Sequence, residues 1–183
     1  MHHIYHTEGI ILGSRNYGEA GKYYSIFTRD LGMIYASAQG VRKMSSKLRY
    51  VLQDFSYIKV DLVKGKDFWR VTSASKTNKL GEIIKNKGAF GVYNNVARLL
   101  KRLLAGEYPN EALFTDLISC LFILENIGEG KDLRSMEMII VLRILSNLGY
   151  IGGGDIVDEF VKSPFEHELV LGVSKNRKEI LNL

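Results

Sequence analysis

Two stretches of the chain alternate strictly between apolar and polar positions. Ile34, Ala36 and Ala38 are small or apolar, with Tyr35, Ser37 and Gln39 between them. Ile58, Val60 and Leu62 alternate with Tyr57, Lys59 and Asp61 in the same way. A two-residue period sends one row of side chains into a core and the other toward solvent, as in a β-strand. Gly9–Arg15 and Lys22–Arg29 come before these stretches and Phe68–Ala74 follows, all rich in β-branched and aromatic residues. Asp30-Leu31-Gly32 and Lys64-Gly65-Lys66-Asp67 are short breaks that suit hairpins. Five strands, with one longer interruption at Arg42–Leu52 between the third and fourth, predict an OB-like Greek-key barrel. An SH3-like barrel is the nearest competitor. Ser45–Leu52 is expected to form a short helix within the interruption.

Beyond residue 80 the period changes. Phe90, Tyr93, Val96, Ala97, Leu100, Leu103 and Leu104 recur at three- and four-residue steps, predicting a helix over Ala89–Ala105. Gly106 and Pro109 punctuate the chain, and Asn110 is a candidate N-cap for a second helix over Glu111–Asn126. Gly128 and Gly130 end it. A third helix is expected over Leu133–Leu148, closed by Gly149 as a left-handed cap. After Gly152-Gly153-Gly154, a short segment at Ile156–Lys162 and a last helix from Lys175, capped by Ser174, are expected. That helix is still running at Leu183, so the native chain is expected to be longer. The fold class read from these patterns is α+β. An OB-like barrel occupies residues 1–79 and an α-helical domain 80–183, with the switch near Thr77–Leu80.

Charge sharpens the division. Residues 1–79 hold thirteen Lys/Arg against six Asp/Glu, a net +7; residues 80–183 hold twelve against fourteen, a net −2. A basic half joined to a slightly acidic one points to a polyanion partner for the first. A solvated basic surface that aids solubility is the competing account. No apolar run reaches the ~18–20 residues that a membrane helix needs, and the start of the chain lacks a signal-peptide pattern. The lone Cys120 excludes an internal disulfide and a cysteine zinc site. A cytoplasmic protein is expected.

The chemistry that stands out is cationic. Arg42, Lys43, Lys47 and Arg49 put four cations within eight positions of one inter-strand loop. Flexible cations on a loop suit phosphates, because each phosphate neutralised releases condensed counterions. Arg15, Lys22 and Arg29 are expected to extend that surface. Tyr17, Tyr23, Tyr35 and Tyr57 lie at or beside polar-facing strand positions, where a ring can stack on a base; covering the barrel is their alternative role. Phe68 and Trp69 read as core. On the first predicted helix, Arg98, Lys101 and Arg102 share a face, and with Arg143 they are candidates for docking an acidic partner tail. That gives a second hypothesis, a protein–protein adaptor whose barrel is only architectural. His2, His3 and His6 lack a second ligand cluster, Gly152-Gly153-Gly154 lacks the Lys-Ser/Thr of a phosphate-binding loop, and Glu8 and Glu19 lack a paired carboxylate. No metal, no cofactor and no catalytic activity are expected.

Several of these residues also fall into a known pattern. Tyr5-x-Thr7-x-Gly9-Ile10-Ile11-Leu12, Arg15-x-Tyr17-Gly18-Glu19 and Phe27-Thr28-x-x-x-Gly32 stand in the order found at the start of RecO, the bacterial recombination mediator. Ala38-x-Gly40-Val41-Arg42-Lys43, Ser46, Leu48, Leu52-Gln53 and Phe55 continue the series. Leu133-Arg134-x-x-Glu137, Leu142 and Leu148-Gly149-Tyr150 resemble the family's helical part more loosely. The resemblance covers residue 5 to about 150. It implies binding of single- and double-stranded DNA and annealing of complementary strands. It also implies RecA loading together with RecR and the acidic C-terminal tail of single-stranded DNA-binding protein, at the nucleoid of a bacterial cytoplasm. The chain departs from the family pattern in three places. It has no four-cysteine zinc module after Leu148-Gly149-Tyr150, and it carries Gly21 where an acidic residue is common and Asp54 where proline is usual.

Overall fold

A computed structural model describes residues 3–77, 80–126, 133–152 and 155–162. Five strands, β1 (Ile4–Tyr17), β2 (Gly21–Thr28), β3 (Gly32–Ala38), β4 (Tyr57–Lys64) and β5 (Trp69–Lys76), form a closed barrel in the order β1-β2-β3-β5-β4. All neighbours are antiparallel except β3 and β5, whose short parallel pairing, Ala36 to Trp69 and Ser37 to Arg70, closes the barrel. That order is the OB arrangement and removes the SH3-like alternative. The alternating rows behave as expected: Ile34, Ala36 and Ala38 are buried, and so are Ile58, Val60 and Leu62. They pack with Ile11, Tyr24, Ile26, Trp69 and Val71 in one core.

The first strand is longer than its pattern announces. Ile4–Ile10 pair with β4, while Gly9–Tyr17 pair with β2, with a register shift between Ile11 and Gly13. A single strand therefore serves two neighbours and bends between them, as a bulge allows. The residues before Gly9 lack a clean alternation, since Tyr5 and Glu8 are half-buried and Thr7 is buried.

Between β3 and β4 the chain makes two turns, Lys43 N–H to the Gly40 carbonyl and Ser46 N–H to the Lys43 carbonyl, and then the one-turn helix α1 (Leu48–Val51). Val41 and Leu52 are buried in the barrel core, with Leu48 and Val51 packed against it. The Arg42 N–H bonds to the Ala20 carbonyl at 2.9 Å. The basic loop is thus pinned at both ends and along its apolar side.

Among the described residues four helices follow: α2 (Lys87–Leu103), α3 (Glu111–Glu125), α4 (Leu133–Asn147) and α5 (Asp155–Lys162), with a 3-10 turn at Ile83–Lys85 before them. Among the described residues none is long and apolar enough to cross a membrane. The α4 C-terminus closes as its glycine predicts: Gly149 has φ +76°, and the Tyr150 N–H reaches the Leu145 carbonyl at 2.9 Å. The expected breaks at Gly128 and Gly130, the joint at Gly153-Gly154 and the helix from Lys175 lie outside the described residues.

Two compact units divide the chain. One comprises Met1–Gly81 with Ala97–Glu111, the other Glu82–Val96 with Ala112–Leu183. Compactness thus groups the end of α2 and the connection behind it with the barrel, in addition to the segment up to residue 79. The contacts explain the grouping. Trp69 donates its indole N–H to Glu107 Oε1 at 2.9 Å, Lys64 pairs with Glu107 Oε2 at 2.7 Å, and the Met33 N–H bonds to the Gly106 carbonyl at 3.0 Å. Gly32, at φ +71°, lies so close to Tyr108 that a Cβ there would collide with the Tyr108 backbone. In the other unit Asn95 bonds to Glu137 across α2 and α4, and Glu125 accepts from the backbone N–H groups of Glu82 and Ile83.

Candidate nucleic-acid interface

One outer face of the barrel gathers aromatic rings and cations. Cross-strand register puts Arg15 of β1 opposite Tyr23 of β2, Tyr23 opposite Ser37 of β3, and Ser25 opposite Tyr35. Directly opposed and diagonal neighbours on one face of a sheet are within reach of long side chains. The Arg15 guanidinium lies 5.3 Å from the Tyr23 ring centre. Tyr23 in turn meets Tyr17 at 4.4 Å and Phe68 at 5.0 Å between ring centres. Tyr17, Tyr35 and Phe68 remain 50%, 51% and 43% exposed, which leaves ring surface for a partner. Tyr23, Tyr35 and Phe68 border a groove of about 440 Å³ that also takes in Phe55, Asp54 and Lys101.

A second groove, about 400 Å³, runs beside the basic loop and is lined by Lys22, Arg42, Arg49, Gln53, Asp54 and Tyr24. The two grooves share Tyr24 and Asp54. Lys22, whose ammonium donates to Ser14 Oγ at 3.3 Å, joins the second groove from β2. Two of the four loop cations, Arg42 and Arg49, therefore converge with Lys22, while Lys43 and Lys47 are exposed on the same loop outside the groove. Among the described residues none of the four loop cations is in an ion pair with a carboxylate; Arg49 meets the Met44 sulfur instead.

Four expected roles are corrected by their surroundings. Arg29 lies just past the end of β2 opposite to Lys22, and its guanidinium pairs with Glu8 at 3.1 Å. The same carboxylate accepts the Tyr57 hydroxyl at 2.7 Å. Tyr57 is buried, and burial together with that hydrogen bond pushes its phenol up to about 12. Arg29 and Tyr57 thus hold the barrel together and leave the candidate surface. Arg143 is 5% exposed inside the helical unit, paired with Asp116 at 2.6 Å and donating to the Phe160 carbonyl at 3.0 Å, so it presents nothing to a docking partner. Phe68 faces outward. Its neighbour Trp69 points into the core, and strand alternation puts adjacent residues on opposite faces.

Arg98, Lys101 and Arg102 are exposed on α2. Lys101 has a different neighbourhood from the one expected: its ammonium lies 3.3 Å from where a Cβ on Gly13 would stand, at the β1 bulge, and so it borders the aromatic groove. Phe55 and Asp54 were not legible as site residues, and Lys101 was read only as a docking residue, because only the folded chain brings them to one groove with Tyr23. Phe55 has φ +68°, a left-handed conformation that bulky residues rarely adopt.

Comparison with known proteins agrees with this architecture. Residues 1–79 match the family described as recombination protein O N terminal. A DNA repair protein RecO of Desulfitobacterium hafniense is 30% identical over 147 residues, which cover 80% of this chain and 52% of that protein. That of Heliobacterium modesticaldum is 31% identical over 147 residues, with the same coverage, and that of Bacillus subtilis 30% over 151 residues, covering 78% and 54%. The chain spans about half the length of the curated relatives it matches. Residues 1–79 thus match the RecO N-terminal family from end to end, and the similarity to RecO proteins carries on into the helices.

Proposed function

We propose that this chain acts in DNA repair and recombination, holding DNA on the outer face of its barrel. The observation that carries the reading is the pair of adjoining grooves, one bordered by Tyr23, Tyr35 and Phe68 and the other by Lys22, Arg42 and Arg49. Rings stack on bases without regard to sequence, and cations track the sugar-phosphate chain. Arg15, Tyr17, Lys43, Lys47 and Lys101 extend the same surface. Single strands fit both grooves; duplex binding uses the cations alone. Strand annealing follows from holding two strands with no base-specific contacts. Annealing and assistance to RecA loading, with RecR and the tail of single-stranded DNA-binding protein as partners, are what the likeness to RecO proteins supports.

The test is the salt dependence of binding to a labelled single-stranded oligonucleotide, measured by anisotropy with the whole chain. Replacing Arg42, Lys43, Lys47 and Arg49 by Ala should lower affinity and make the log–log salt slope shallower by about 3, at roughly 0.7 per phosphate contact. Tyr23→Ala or Tyr35→Ala should weaken binding by about 1–3 kcal/mol per base released and leave the slope unchanged. An unaltered slope in the fourfold variant removes the loop from DNA binding.

A further inference from the structure

Tyr24 is 1% exposed, and its hydroxyl has no hydrogen-bond partner among the described residues. Such an atom is unusual, because nearly all buried polar groups in folded proteins are paired. A phenylalanine would fill the same volume of the barrel core without leaving a polar atom unsatisfied. The hydroxyl also has a defined location. Tyr24 and Asp54 are the two residues common to both grooves, and the Asp54 charge acts on the phenol. Tyr24 therefore sits where the two grooves meet, with its hydroxyl within the influence of the Asp54 charge. Lys22, Arg42 and Arg49 line one of those grooves together with Tyr24.

We propose that this groove is a phosphate site, with the Tyr24 hydroxyl as its buried donor and Lys22, Arg42 and Arg49 as its cationic walls. A phosphate oxygen accepts from the phenol, and the remaining oxygens meet the guanidinium and ammonium groups. Burial and the Asp54 charge push the phenol up to about 12, so it keeps its proton and stays a donor throughout the neutral range. Asp54 opposes the anion: its carboxylate stands at the junction of the grooves and repels an incoming phosphate. The position of the site next to the aromatic groove fits a strand that lays one base on Tyr23 and the adjoining phosphate over Tyr24. That source of the phosphate rests on the DNA reading above; a free phosphate ion is the other source.

The test is Tyr24→Phe in the whole chain, with three measurements. Without ligand, its melting temperature should equal or exceed that of the parent, because an unsatisfied hydroxyl has been removed. Its affinity for a labelled single-stranded oligonucleotide should fall about tenfold, the usual size for a hydrogen bond to a charged group. Any rise in melting temperature that inorganic phosphate gives the parent, relative to chloride at equal ionic strength, should be lost. Arg49→Gln, at an exposed position, should reproduce the last two losses. Loss of the phosphate effect with unchanged oligonucleotide affinity supports the site and assigns it to free phosphate. A parent chain that fails to bind the oligonucleotide ends the DNA reading, while the phosphate arm still decides the site. The proposal is overturned if Tyr24→Phe changes neither ligand response, or if it melts several degrees lower, since the hydroxyl would then have a partner in the folded chain.

Discussion

Asp54 is the residue whose charge runs against its surroundings. It is exposed and lies at the junction of both grooves. Exposed charge pairs typically contribute about 0.2–1 kcal/mol. Asp54→Asn should therefore tighten binding of a single-stranded oligonucleotide by up to roughly fivefold at low salt, with the gain fading as the Debye length shortens. Equal affinities for the two proteins at low ionic strength would place Asp54 outside the electrostatic reach of the strand. At this scale the candidate site was half legible. Arg42 and Arg49 could be found because they cluster in sequence, and Tyr23 and Tyr35 because they fall on the outer row. Arg29 and Tyr57 have the same sequence signature as these, and only the position of Glu8 distinguishes them. Lys101 reaches Gly13 across 88 residues of chain, a proximity that no local pattern encodes.

At the scale of elements, the connection from α2 to α3 fastens itself to the barrel through Glu107. Its carboxyl is held below the usual glutamate range by the hydrogen bond from Lys64 and then by that from Trp69, against the opposing effect of burial. The Lys64 ammonium is correspondingly raised by Glu107. A depressed carboxyl stabilises the fold above its unfolded value and loses that contribution as pH falls through its folded value. A raised amine stabilises below its unfolded value and loses that contribution as pH climbs through its folded one. The fastening is therefore complete across the neutral range and weakens at both extremes. Trp69 is the single tryptophan of the chain, so its emission reads the contact directly. Acidification below the ordinary glutamate range should shift that emission before the barrel unfolds, and Glu107→Gln should abolish the early step. An identical acid titration in the variant would show that Glu107 is not its origin. The strands and helices themselves were nearly all readable, because period two and period 3.6 are imposed by burial on one side. The start of β1 was not, since Ile4–Glu8 pair with β4 alone and their exposure does not alternate cleanly: Tyr5 and Glu8 are half-buried and Thr7 is buried.

For the molecule as a whole, the compact units do not respect the order of the chain. The barrel's own unit resumes at Ala97 and runs to Glu111, after an excursion of fifteen residues that belongs to the other. The basic-to-acidic switch near residue 79 marks where the strands stop, and charge composition carries no information about a later segment that returns. A protein cut at residue 79 keeps every strand, yet it opens the Trp69 indole and the β2–β3 hairpin to water. The lost hydrogen bonds and covered apolar surface amount to about 3 kcal/mol or more, which for a domain of this size lowers the melting temperature by roughly 12 °C or more. Thermal melts followed through Trp69 should thus rank residues 1–79 well below the intact chain; equal midpoints would mean that the returning segment is dispensable. The barrel's complete compact unit is consequently a discontinuous one, and dissecting it at the visible seam would discard a component that the barrel cannot supply for itself.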